Sequence, residues 1–123
     1  MLCIVHMKSQ IELKYEDIKD KLGAKIVRFV GDLDATNVES VVEEIFGLLN
    51  QGTLNIIADF EKLRYVNSTG LGILLHFSKS AKERGGCFKI ANVNENVYEI
   101  IEIIGATTLL DLYDDLDEAI KSV

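Results

Sequence analysis

Cysteine, histidine and positive charge are all scarce in this chain, and each scarcity removes a class of function. The two cysteines, Cys3 and Cys87, cannot build a framework of bridges and match no metal spacing, so reduced thiols in a cytoplasmic protein are expected. Only two histidines, His6 and His76, are available as a base for a nucleophilic serine. Lys and Arg together number 13 against 20 Asp and Glu, a formal net charge of -7. That balance argues against nucleic acid, whose phosphates are held mainly by Lys and Arg. Lys14, Lys19, Lys21, Lys25, Lys62, Arg64, Lys79, Lys82 and Arg84 are also interspersed with acids. An acidic domain still suits a basic protein surface. No run approaches the ~18 apolar residues of a transmembrane helix, so no membrane partner is expected. Met1-Leu2-Cys3-Ile4-Val5-His6 is too short for the apolar region of a signal peptide and has no basic lead-in. Residues 1–8 are therefore expected to be an N-terminal extension, with the domain in 9–123.

Hydrophobic residues make up 48% of the 123, enough for one compact domain that buries roughly two-thirds of its unfolded surface. Ser9 to Tyr15 alternates polar and apolar, Asp17 to Gly23 reads as a turn, and Ala24 to Val30 alternates again. The two segments form an expected antiparallel pair, with Ile26, Arg28 and Val30 on one face and Val27 and Phe29 on the other. Thr36 followed by Glu39 fits a capping box, and Val38, Val41, Val42, Ile45, Phe46 and Leu49 recur behind it at helical spacing until Gly52. Leu54, Ile56, Ile57 and Ala58 form a near-continuous apolar run, the mark of a central strand. A second helix is expected from Ser68 to about Arg84, carrying Leu71, Leu74, Leu75, Ser78 and Ala81 inward, and a strand over Cys87 to Ala91. A third helix over Asn94 to Ile104 carries Val97, Ile100, Ile101 and Ile104 on one face and ends at Gly105. A last short strand is expected over Leu109 to Leu112 and a closing helix over Asp114 to Val123. Alternating strands and helices after a first hairpin imply parallel crossovers and a single α/β domain.

One segment stands apart: Tyr65-Val66-Asn67-Ser68-Thr69-Gly70-Leu71-Gly72. Two hydroxyl residues follow an apolar strand and open a helix, near unpaired N–H groups and the positive end of the helix dipole. Simple N-capping by Ser68 or Thr69 is the plainest reading. Gly70 and Gly72 ask for more, because each costs up to ~1 kcal/mol against alanine within a helix. They serve either close packing of the helix on the sheet or a flat surface beside the hydroxyls. Catalysis is a poor fit. His76 lies about two turns along the helix from Ser68 and reads as an ordinary surface residue. Gly-x-Gly here lacks the lysine of a phosphate loop and the third glycine of a dinucleotide fingerprint. Asp32, Asp34 and Asp59 follow no metal-ligand spacing and read as solvated carboxylates. No enzyme activity, metal or cofactor is expected.

Taken together, Gly31-Asp32-Leu33-Asp34, the run Asn55 to Phe60, the Tyr65–Gly72 segment, Gly85-Gly86 and Gly105 resemble the STAS family, the sulphate-transporter and anti-sigma-factor-antagonist domains. The resemblance is to the small bacterial anti-sigma factor antagonists within it, from about Ile11 to the C-terminus. It implies a mixed sheet of four to five strands with about four helices packed mainly on one face. It also implies a phosphorylation switch. The unphosphorylated protein binds an anti-sigma factor that is a serine kinase of the histidine-kinase-like ATPase fold, which frees a sigma factor. The kinase phosphorylates Ser68, with Thr69 the second choice, and a serine phosphatase reverses the change. The contact surface falls on Asp32, Asp34, Asn67, Ser68, Thr69, Gly70, Leu71 and Gly72. One position departs from the pattern: the family's aspartate before the serine is Asn67 here, which accepts a hydrogen bond but carries no charge.

The alternative is a non-catalytic STAS subunit of a larger assembly, such as a stress-signalling scaffold or a lipid-transport complex, that is never phosphorylated. An exposed Ser68 favours the switch. A buried Ser68 with its hydroxyl spent on capping favours the structural role.

Overall fold

The computed structural model describes residues 9–123, so the expected N-terminal extension over 1–8, with Cys3 and His6, lies outside the described residues. Strands β1 (Ile11–Asp17) and β2 (Ala24–Leu33) form the expected antiparallel hairpin, with Leu13 opposite Phe29 and Lys14 opposite Arg28. Then follow α1 (Val38–Asn50), β3 (Asn55–Asp59), β4 (Leu63–Val66), α2 (Ser68–Glu83), β5 (Cys87–Ala91), α3 (Glu95–Ile104), β6 (Asp111–Tyr113) and α4 (Leu116–Lys121). The sheet runs β1-β2-β3-β5-β6, parallel except for the first pair, and β4 joins the far end of β2.

Residue alternation decides which helix covers which face. Val27, Phe29, Ile56, Ala58, Phe88 and Ile90 enter one core with Val41 and Ile45 of α1, Leu74 and Phe77 of α2, and Val97 and Ile101 of α3. Ile57 and Ala91 point the other way, where α4 covers them with Ala119, Leu116 and Ile120. Three helices thus share one face. On the opposite face α4 packs against β3, β5 and β6.

Several expectations need correction. Among the described residues the sheet has six strands, not four or five, because the short β4 adds to the strands that the apolar periods mark. Its Leu63 and Val66 are buried while Arg64 and Tyr65 are exposed, so four residues carry no period of two. The capping box at Thr36 is not formed. Asn37 is the N-cap of α1 and makes no side-chain cap bond, while Thr36 donates from its N–H and its hydroxyl to Asp34, at 2.9 and 2.6 Å. Ile104, expected on the inner face of α3, is 47% exposed. There Gly105 takes the left-handed conformation and the chain turns Ala106 into the core instead, with its N–H on the Ile101 carbonyl at 2.9 Å. The last strand begins at Asp111 rather than Leu109, because a turn after α3 buries Leu110 and leaves Leu109 outside.

Candidate functional site

The parallel pairing of β2 with β4 aligns Asp32 with Tyr65 and Leu33 with Val66. This brings the turn after β2 beside the start of α2. The Asn67 N–H completes the junction by donating to the Leu33 carbonyl at 3.2 Å. Asn67 itself is extended, and its side-chain oxygen accepts from the Gly70 N–H at 2.9 Å. It is the N-cap. The expected cap role of Ser68 or Thr69 is therefore corrected: both are helical residues that follow the cap. Both are exposed, and among the described residues neither hydroxyl bonds to another group of the protein.

A cap residue must leave its own backbone extended while its side chain turns back to the third N–H of the helix. Asparagine does this as well as aspartate, so the uncharged residue at position 67 costs the helix start no hydrogen bond. Asn67→Ala is expected to lower unfolding free energy by about 1 kcal/mol, measured by denaturant titration. Asn67→Asp should match or slightly exceed the parent, because a carboxylate favours the positive end of the helix.

The two glycines have different tasks. A Cβ on Gly70 would lie 2.8 Å from the Leu33 carbonyl oxygen and 2.8 Å from Val66 Cγ2. Gly70 lets the helix seat directly on the sheet. A Cβ on Gly72 would meet nothing within 4 Å, and Gly72 is exposed. No internal packing accounts for it. Leu71 is 1% exposed, so Gly70 and Leu71, expected at a contact surface, face inward instead. The candidate surface contracts to Asn67, Ser68, Thr69 and Gly72 with the neighbouring acidic turn.

That turn is held firmly. Asn37 is buried; its amide donates to the Ser9 and Asp32 carbonyls at 3.0 and 2.8 Å, and its oxygen accepts from the Asp34 N–H at 3.1 Å. The Ser9 hydroxyl donates to the Asp34 carboxylate. Hydrogen bonds from Ser9 and then Thr36 hold the Asp34 carboxyl below its ordinary pKa, so it stays anionic at neutral pH. Asp32 is half-buried and pairs with Arg64 at 3.2 Å. The structure thus brings Asp32 and Asp34 to the same end of the sheet as Ser68.

Three contributors, Asn37, Ser9 and Arg64, carry no site signal in the sequence. Asn37 and Ser9 fix the turn through contacts that span up to 28 residues, and no local pattern marks them. Arg64 balances Asp32, a pairing set by the β2–β4 register. Tyr65, the first residue of the motif segment, is 48% exposed. His76 is exposed, with its ring 5.3 Å from that of Phe46. Asp59, read as solvated, is only 5% exposed and accepts from Asn92 Nδ2 at 3.0 Å and from the Glu61 N–H at 3.1 Å.

The STAS domain family matches residues 15–119. An anti-sigma-B factor antagonist of Bacillus subtilis is 26% identical over 96 residues, which cover 78% of this chain and 87% of the relative. A crystallised anti-sigma factor antagonist of Mycobacterium paratuberculosis superposes with a TM-score of 0.81 at 21% identity, covering 93% of this chain and 94% of that one. The Bacillus cell fate determinant SpoIIAA in its phosphorylated form superposes with a TM-score of 0.67 at 21% identity, covering 90% and 98%. Among the described residues no helix is long and apolar enough to cross a membrane.

Proposed function

Because the chain belongs to the STAS domain family, we propose that it is an anti-sigma factor antagonist switched by phosphorylation at Ser68. Its unphosphorylated form binds an anti-sigma factor serine kinase of the histidine-kinase-like ATPase fold and so releases a sigma factor. The kinase modifies Ser68, or Thr69 as the second choice, and a serine phosphatase restores the binding form. The domain contributes a surface and an acceptor hydroxyl and performs no catalysis itself. One observation carries this reading: Ser68 is exposed and, among the described residues, its hydroxyl bonds no other group, because Asn67 has taken over the cap.

The switch follows from charge and shape. A phosphate adds about -1.5 to -2 charges beside Asp32 and Asp34. The helix dipole offsets only about 0.3–1 kcal/mol of that. The rest opposes an approaching partner through repulsion, bulk and desolvation, and no part of the core has to move. The name of the curated relative and the phosphorylated state of the structural neighbour support the same reading.

The test is incubation of the protein with candidate histidine-kinase-like ATPases and ATP, followed by intact mass and peptide mapping. One added phosphoryl group on Ser68, lost in Ser68→Ala, is the expected result. A kinase that binds the protein tightly yet leaves it unmodified at Ser68 and Thr69 would refute the switch. The substitution of Asn67 for the family's aspartate favours that second outcome, in which the protein is a constitutive binder of the anti-sigma factor.

A further inference from the structure

We propose that the free edge of β1 is a docking surface for a second copy of this chain, strand against strand, in a twofold dimer. Among the described residues β1 pairs with β2 alone, and the opposite edge of the sheet is β6, of three residues. An open strand edge is a template for another strand unless shortness, proline or a bulge blunts it. β6 is short. β1 runs for seven residues, keeps one unbroken register with β2, and contains no proline, since the whole chain has none.

The ladder with β2 fixes which backbone groups face outward. The Asp32 N–H donates to the Gln10 carbonyl at 2.9 Å, one step beyond the Ile11–Gly31 pair. Bonded and non-bonded pairs alternate along an antiparallel ladder. Glu12, Lys14 and Glu16 therefore turn their backbone groups to β2, and Ile11, Leu13 and Tyr15 turn theirs to the open edge. These three side chains lie on the face that α1 shares, where Tyr15 donates to Glu44 at 2.6 Å. Their cover there is incomplete: Ile11 and Leu13 are half-buried and Tyr15 is 43% exposed.

A twofold axis normal to the sheet sets two such edges antiparallel, with the same surface patch used by both copies. With the axis at Leu13, Leu13 meets its own copy and Ile11 meets Tyr15 of the second copy, which pairs the outward backbone groups of all three. Glu12 then stands opposite Lys14 of the second copy, and the symmetry repeats the pair. Neither residue forms an ion pair among the described residues. Within its own chain Lys14 faces only the like charge of Arg28, which is itself matched by Glu16 at 2.8 Å and Asp59 at 3.4 Å. Opposite charges across a strand pair stabilise it and like charges destabilise it. Moving the axis one residue either way sets Glu12 or Lys14 against its own copy. At Tyr15, Leu13 meets the Asp17 carboxylate. Charge thus selects the Leu13 register. The edge lies across β2 from β4, so the pairing does not use Ser68.

Sedimentation equilibrium of the whole protein tests the proposal. Over roughly a hundredfold range of concentration, the mass should move reversibly between the 13.7 kDa of one chain and twice that value. Hydrogen exchange should protect the Ile11, Leu13 and Tyr15 amides only at the high end of that range. Glu12→Lys and Lys14→Glu should each weaken the dimer about tenfold or more. An equimolar mixture of the two should restore it, and both changes in one chain should pair as the parent does. Both side chains are exposed and bond nothing among the described residues, so each variant should keep the parent's circular dichroism spectrum. The mass of a single chain at every concentration would overturn the dimer and leave the edge to a strand of another protein. A dimer indifferent to both charge reversals would overturn it as well.

Discussion

Ser68→Asp is expected to bind its cognate anti-sigma kinase at least tenfold more weakly than the parent, a loss of about 1.4 kcal/mol. Calorimetric titration of the parent, Ser68→Ala and Ser68→Asp against the same partner reads this directly. The thermal midpoint should be unchanged or slightly raised. Ser68 is the first residue of α2, where an acidic side chain is favoured by about 0.3–1 kcal/mol. Its side chain is exposed and holds no bond among the described residues, so the substitution leaves their contacts intact. Ser68→Ala should retain binding, because the small apolar residue keeps the surface flat and adds no charge. The combination is diagnostic. A variant that lost both stability and affinity would mean that position 68 supports the fold rather than the switch. Equal affinity of all three forms would mean that the contact lies elsewhere.

The second large effect separates two glycines only two residues apart. Gly70→Ala forces a methyl group within 2.8 Å of the Leu33 carbonyl oxygen and of Val66 Cγ2. The carbonyl belongs to the backbone of β2, which cannot step aside without disturbing its pairing with β4. Overpacking of this kind costs about 1–3 kcal/mol, against a gain in helix propensity of up to about 1 kcal/mol. The net result is a less stable protein. Gly72→Ala should do the reverse, gaining up to about 1 kcal/mol of propensity because its Cβ meets nothing within 4 Å. If Gly72 keeps the contact surface flat, the stabilised Gly72→Ala variant also binds its partner less well. Denaturant unfolding and partner titration on both variants give the four values required. Midpoints that move in the same direction would contradict this division of roles.

These two glycines also show what a sequence can and cannot reveal. Both look alike in the motif, as residues that a helix does not ask for. Only Leu33, brought alongside by the β2–β4 register, distinguishes the one that seats the helix from the one that faces solvent. Leu71 is a different case: the resemblance groups it with the contact residues, whereas the helical spacing of Leu71, Leu74, Ser78 and Ala81 puts it inward, and the structure agrees with the spacing. Thr36 and Asn37 show the same limit at α1. Thr36 with Glu39 satisfies a local rule, yet the turn after β2 uses Thr36 for Asp34 and commits the Asn37 amide to Ser9 and Asp32.

Periodic apolar spacing determined the helices and the longer strands, because burial on one face is recorded at every third or fourth residue of a helix and every second residue of a strand. The order of those elements was enough for an α/β domain, and the Tyr65–Gly72 segment was enough to locate the candidate site. The tertiary structure alone decided that Asn67 caps α2 and leaves Ser68 exposed, that β4 lies beside the end of β2, and that Lys14 faces Arg28 across the β1–β2 pair. Each of these depends on the register between segments distant in the chain, and register is fixed by the packing of the whole core.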